Sequence, residues 1–202
     1  MNKKFSWLRL AAMLATGTLA TLGALADNGP QAEAGSAPPQ ASAAPAARHC
    51  VAELAPVTAG ARVSAMKQGG CYPTFAAAMA AATDNTVSLS SEALPESVGE
   101  SDLAAAATRV IGIDYDGSFY GGSSYIWYAR NSLGCYGGLS YTANMPWFFN
   151  NRLSSTRGFN GCTRNTSYSG YFQTGFWVRC FPNCLYVGDF MNNQTSSKRW
   201  AR

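Results

Sequence analysis

Histidine is nearly absent: His49 is the only one in 202 residues. A Ser-His-Asp or Cys-His arrangement would have to use it, yet it stands beside Cys50, ahead of the β-favouring part of the chain. Acids are scarce in that later part. Residues 109–202 carry only Asp114, Asp116 and Asp189, which leaves little material for a paired-carboxylate mechanism. No Gly-rich phosphate loop precedes a Lys and a Ser or Thr, because "YGGSSY" leads into a strand-like run. After Leu25 no apolar stretch approaches the roughly 20 residues of a membrane span. These absences together exclude the common enzyme signatures and a membrane anchor, so a non-enzyme is expected.

What is present begins with "MNKKFSWLRLAAMLATGTLATLGALA": two lysines and an arginine, an apolar stretch from Leu10 to Leu25, and an Ala-x-Ala pattern ending at Ala26. This is the form of a secretory signal peptide, residues 1–26. As an anchor it is poor, since Thr16, Gly17, Thr18, Thr21 and Gly23 interrupt it. Residues 27–47, rich in Ala, Pro, Gly, Ser and Gln without an aromatic, read as a linker unable to bury enough apolar area to offset chain entropy. A secreted, soluble monomer is the expectation.

The remaining chain is electrically divided. Residues 27–108 hold eight acids against three bases, and residues 109–202 nine bases against three acids. Such halves can attract each other. The alternative is a small N-terminal unit on a tether. The arginines of the basic half are scattered singly, so nucleic acid is not an expected partner. All six cysteines lie beyond the signal, an even number in an oxidising setting, so disulfides are the default. Cys180 and Cys184 have a spacing a metal could use, but no second ligand pair accompanies them. The most local connectivity is Cys50–Cys71, Cys135–Cys162 and Cys180–Cys184.

Residues 48–108 suggest a small, mainly helical region holding one cysteine pair. A strand is possible near Val51–Leu54, a helix runs from Pro73 in its first turn to about Ala82, and Ser101 offers an N-cap for a short second helix. From Arg109 to Arg202 the texture changes to short β-favouring runs ("RVIGIDY", "SSYIWYA", "SSTRGF", "GFWVRCF", "CLYVG") between Gly, Asn and Ser turns, with Trp127, Trp147, Trp177 and Trp200 available for packing. This is an all-β domain.

The domain is written twice. "YDGSFYGG" from Tyr115 and "YSGYFQTG" from Tyr168 each place Phe four residues on, Phe119 and Phe172, and Gly seven residues on, Gly122 and Gly175. Each is followed by an aromatic strand, then by "NNRLSS" (150–155) or "NNQTSS" (192–197), then by Arg157 or Arg199. The first copy is longer, with an insertion expected within Asn131–Phe149. In these features residues 109–202 resemble the βγ-crystallin family, whose domain is a sandwich of two Greek-key motifs, each with an aromatic-glycine hairpin and an Asn/Asp-Asn/Asp-x-x-Ser/Thr-Ser loop. "GGCYPTFAAAMAAAT" ahead of it looks like an arrangement of secreted bacterial βγ-crystallin-like proteins.

The resemblance implies a calcium clamp shared by the two loops. Its candidate ligands are Asn151, the Arg152 carbonyl and Ser154 in the first loop, and Asn193, the Gln194 carbonyl and Ser196 in the second, with Asp116 as the nearest acid. Calcium takes six to eight oxygens, carbonyls and Asn side chains included. Both loops read Asn-Asn, so neither supplies a carboxylate; the competing reading is that Asn and Ser simply hydrogen-bond the turns. The resemblance also implies a second function, inhibition of an extracellular metalloproteinase, with the Asn131–Phe149 insertion as the entering loop. Glycan binding through exposed aromatics is a third.

Overall fold

The computed structural model describes residues 46–104 and 108–202; the expected signal peptide and all but the last two residues of the expected linker lie outside the described residues. Nine strands are described: β1 (His49–Leu54), β2 (Met66–Tyr72), β3 (Arg109–Tyr115), β4 (Ser124–Ala129), β5 (Tyr141–Asn144), β6 (Ser155–Gly158), β7 (Arg164–Tyr168), β8 (Trp177–Cys180) and β9 (Ser197–Ala201). Two short helices accompany them, α1 (Phe75–Ala82) and α2 (Glu100–Ala104).

The strands form two sheets, in the orders β2-β1-β4-β3-β6 and β5-β9-β7-β8. Chain order and sheet order differ in an informative way. β3, β4 and β6 of the first copy pair together, but β5 leaves them to pair antiparallel with β9 of the second copy. Reciprocally, Cys184 of the second copy bridges to Thr156 in β6. Each motif therefore lends its third segment to the other's sheet. The result is a two-motif Greek-key, βγ-crystallin-like sandwich.

The inner faces of the sheets enclose an aromatic core in which Tyr125 and Trp127 of β4 meet Tyr141, Phe149 and Trp200. Trp127 and Trp200 lie 5.2 Å apart between ring centroids. Alternation along β4 sends Ile126 and Tyr128 to the opposite face, where α1 covers them with Phe75, Ala78, Met79 and Ala82. All six residues of β4 are thus buried, and the sandwich gains a third layer.

That layer corrects the reading of residues 48–108. The region is as much strand as helix: β1 pairs parallel with β4, and β2 extends the sheet antiparallel beyond β1. The described residues 46–104 and 108–202 pack as one compact unit, with β1 hydrogen-bonded to β4, rather than as a small unit held apart on a tether. α1 begins later than Pro73, with Thr74 as its N-cap accepting from the Ala77 N–H. Ser101 lies inside α2; the Asp102 carboxylate accepts from the Gly99 N–H just ahead of it. β2, β7 and β9 carry little apolar periodicity, β5 is only four residues long, and "CLYVG" supplies only the Cys184 bridge. The three disulfides are Cys50–Cys71, Cys135–Cys162 and Cys180–Cys184.

A polar bridge crosses the core. Lys198 of β9 and Asp114 of β3 are both fully buried, with Nζ 3.0 Å from Oδ1. Trp127 Nε1 donates to Asp114 Oδ2 at 2.7 Å and Thr156 Oγ1 to Oδ1 at 2.5 Å. Lys198 also donates to Thr156 and Ser167. An ammonium has three donors, and all three find an acceptor. Lys198→Met should cost about 3–5 kcal/mol, because it leaves Asp114 charged and unpaired in the core. Urea unfolding of Lys198→Met, Asp114→Asn and the double variant should show a double cost well below the sum of the singles.

His49 supplies a pH signature. It is buried, edge-on to Phe75, with Nδ1 2.9 Å from Ser124 Oγ. Burial lowers its pKa below the ordinary histidine value, and the negative charge of Asp116 offsets part of that. The unfolded chain then binds the proton more readily, so stability is full above about pH 6.5 and falls as the pH drops below it. Melting temperature should decline from pH 7.5 to about 5.5, and His49→Gln should flatten that slope.

Candidate functional site at the paired loops

The doubled sequence becomes doubled geometry. In the two hairpins Phe119 and Phe172 both hold φ 56°, with ψ 32° and 36°. Gly122 and Gly175 follow at φ 77° and 78°, a left-handed conformation that glycine takes without a Cβ penalty. A Cβ at Gly122 would stand 2.2 Å from Asp116 Oδ1, and one at Gly175 2.4 Å from Ser169 Oγ. Position 116 in the first hairpin thus corresponds to position 169 in the second, and each accepts a backbone N–H from the returning chain, Ser123 or Phe176.

The last serine of each loop fastens its hairpin down. Ser155 Oγ donates to the Gly117 carbonyl and accepts from the Tyr120 N–H; Ser197 Oγ donates to the Gly170 carbonyl and accepts from the Gln173 N–H. The second asparagine of each loop is left-handed as well, Asn151 at φ 57° and Asn193 at φ 56°, a conformation Asn tolerates better than most residues. Part of the motif is therefore turn chemistry, whatever else the loops do.

The two loops also grip each other. The Asn151 N–H donates to the Thr195 carbonyl and the Asn193 N–H to the Leu153 carbonyl, both at 3.0 Å. Ser154 Oγ lies 2.7 Å from Asn192 Oδ1 of the other loop and 2.9 Å from the Asp116 carbonyl. Ser196 Oγ lies 3.2 Å from Asn151 Oδ1. Asn150 Oδ1 is buried and meets no hydrogen-bond donor. Oxygens of the two motifs thus meet in two places, Ser154 with Asn192 and the Asp116 carbonyl, and Ser196 with Asn151; in the first the Ser154 hydroxyl has one proton for two acceptors.

Of the residues expected to hold calcium, the fold brings Ser154 against Asp116 and, in a separate contact, Asn151 against Ser196. Asn193 and Gln194 are exposed, and the Gln194 N–H bonds Met191 within its own loop. Arg152 turns its guanidinium back onto Asp116, 2.6 Å from Oδ2, and donates to the Phe148 carbonyl. The nearest carboxylate is thus already paired. Sequence reasoning placed the ligands at the second, third and fifth positions of each loop and passed over the first, Asn150 and Asn192. Their one visible signal was that the first Asn, like the second, is repeated.

The expected insertion is not a free loop. Met145 donates its N–H to the Ser196 carbonyl as Val187 does to Ser154, so the two copies are back in step there and the extra residues precede Met145. The stretch contains β5, whose Tyr141 and Ala143 are core residues, and Cys135 is tied to Cys162. Parts of it are exposed, Leu133 and Tyr136 among them, and most of all its end, where Trp147 is 86% exposed on the turn leading into the first loop. Beside it a cleft of about 660 Å³ is lined by Arg48, the Cys50–Cys71 bridge, Asp116, Phe148 and Arg152.

No family model and no curated protein matches the chain. Among solved structures, a betagamma-crystallin from an archaeon is similar at 18% identity and a TM-score of 0.33, over 45% of this chain and 96% of that one. The duplicated hairpins and exchanged third segments carry the fold on their own. The β domain is βγ-crystallin-like. Among the described residues no three His, Cys, Asp or Glu side chains cluster as metal ligands.

The hairpin ties can be separated from any ion. Ser155→Ala and Ser197→Ala should each destabilise by about 1–3 kcal/mol, since each leaves a partly buried carbonyl and N–H unpaired. Denaturant midpoints measured in chelator should show these losses in full.

Proposed function

We propose that the protein is an exported, non-enzymatic structural module whose paired loops bind calcium weakly and are stiffened by it. The observation that carries this reading is the buried Asn150 Oδ1 without a donor, close in sequence to Asn151, whose Oδ1 faces Ser196. A divalent cation is one partner that satisfies several acceptor oxygens at once. Asn150, Asn151, Ser154, Asn192 and Ser196 would supply side-chain oxygens and Asp116 its carbonyl. Without a free carboxylate the affinity expected is that of extracellular modules, on the order of 10⁻⁴ to 10⁻³ M. The disulfides and the absence, among the described residues, of a helix able to cross a membrane are compatible with export.

Turn chemistry alone gives a different result on substitution. Calcium at millimolar concentration should raise the melting temperature of the parent protein, and Ser154→Ala or Ser196→Ala should shrink that rise as well as lower the baseline. Asn151→Asp adds the missing charge and should enlarge the rise. Calorimetric titration in calcium and magnesium checks both. If the Asp variant gains no calcium-dependent stabilisation, the loops are turns only.

A second reading, inhibition of an extracellular metalloproteinase, has Trp147 and its turn as the most exposed segment to enter a cleft, since β5 and the Cys135–Cys162 bridge tie down other parts of the stretch expected to do so. Inhibition assays with Trp147→Ala test it.

A further inference from the structure

The outward face of the four-stranded sheet carries three arginines without a counter-charge. On β7, Asn165 and Ser167 point inward to the buried network, so Arg164, Thr166 and Tyr168 point out. Thr166 stands opposite Arg179 on β8 and Arg199 on β9, and Tyr168 stands opposite Trp177. Arg164, Thr166, Tyr168, Arg179 and Arg199 line a depression of about 150 Å³. Neighbouring strands are about 4.8 Å apart, which brings the three cations onto one small area.

None of these arginines has a carboxylate partner among the described residues. β5, β7, β8 and β9 contain no Asp or Glu, for their sequences are YTAN, RNTSY, WVRC and SKRWA. Arg179 is nonetheless held in place: its Nε donates to Thr166 Oγ1 at 3.1 Å and its guanidinium lies 5.1 Å from the Trp177 ring centroid. Trp177 itself is 57% exposed. A positioned guanidinium beside an exposed indole offers charge and stacking together.

We propose that this face is a binding site for an acidic polysaccharide, a chain bearing ring carboxylates. Guanidinium groups match carboxylates bidentately, and a sugar's C–H face stacks on an aromatic ring. Along β8, Trp177 and Arg179 are two residues apart on one face, a separation of about 7 Å. The Arg179 guanidinium itself lies 5.1 Å from the Trp177 ring centroid, so a stacking ring and carboxylate-binding cations adjoin on one face. The site is independent of the paired loops and of calcium. Nucleic acid would also answer to arginine and an aromatic; the three disulfides favour the polymers of an oxidising exterior.

The test is calorimetric titration of the whole protein, in chelator and at low ionic strength, with a defined oligogalacturonate. The same oligomer with its carboxyl groups reduced to alcohols, a single-stranded DNA oligonucleotide and inorganic phosphate are the comparison probes. Binding to the oligogalacturonate alone is expected, weakening with salt. The Arg164→Gln/Arg199→Gln double variant should lose at least tenfold in affinity and much of the salt dependence, and Trp177→Ala should lose severalfold. Arg62→Gln, elsewhere on the surface, should bind as the parent does. Unchanged melting curves certify that the exposed substitutions leave the fold intact. Absence of binding, equal or tighter binding to DNA, equal binding to the reduced oligomer, or indifference to Trp177→Ala would each overturn the proposal.

Discussion

The two sheets of this domain meet around a charged pair that neither could bury alone. Asp114 comes from one sheet and Lys198 from the other, and removing both from water costs several kcal/mol per ion before their attraction is counted. The pair is tolerable only because Trp127, Thr156 and Ser167 complete its hydrogen bonds. That requirement fixes the relative placement of β3, β4, β6, β7 and β9, since a shift of any one would orphan a buried polar atom. Burial lowers the Lys198 pKa while Asp114 opposes the change. A wholly apolar interface would hold the sheets together as well but would specify their registration less sharply.

Around that bridge the fold manages exposed surface by addition. The outer face of the larger sheet carries Ile113, Ile126 and Tyr128, which α1 and the segment after it bury. Charge contributes at the edges: Arg130 pairs with Glu53 and with Asp84, and the Asn160 N–H donates to Glu100. Exposed ion pairs are worth at most about 1 kcal/mol each, so strand pairing and apolar burial do most of the joining.

The duplicated hairpin was legible because its constraints are local. A left-handed turn with glycine at a fixed distance after tyrosine, and serine at the end of an Asn-Asn loop, leave the same marks each time they occur. The strand β7 was illegible for an equally physical cause. Asn165 and Ser167 face inward, toward a polar core, so the usual alternation of apolar and polar residues is missing. At the loops, residue types named the oxygens that could gather there, but Asn150 and Asn192 gained their place only when the other loop was brought against them.

By itself, then, the sequence determined the duplication, the disulfide partners closest along the chain, the β character of residues 109–202 and the scarcity of catalytic groups, all of which depend on short-range chemistry. Tertiary structure alone decided that each motif gives its third segment to the other's sheet and that residues 49–72 extend one sheet. It also decided that Asp116 faces Arg152, and that Arg164, Arg179 and Arg199 share one face. Those outcomes depend on which distant strands become neighbours, and strand pairing is settled by the packing of the whole molecule.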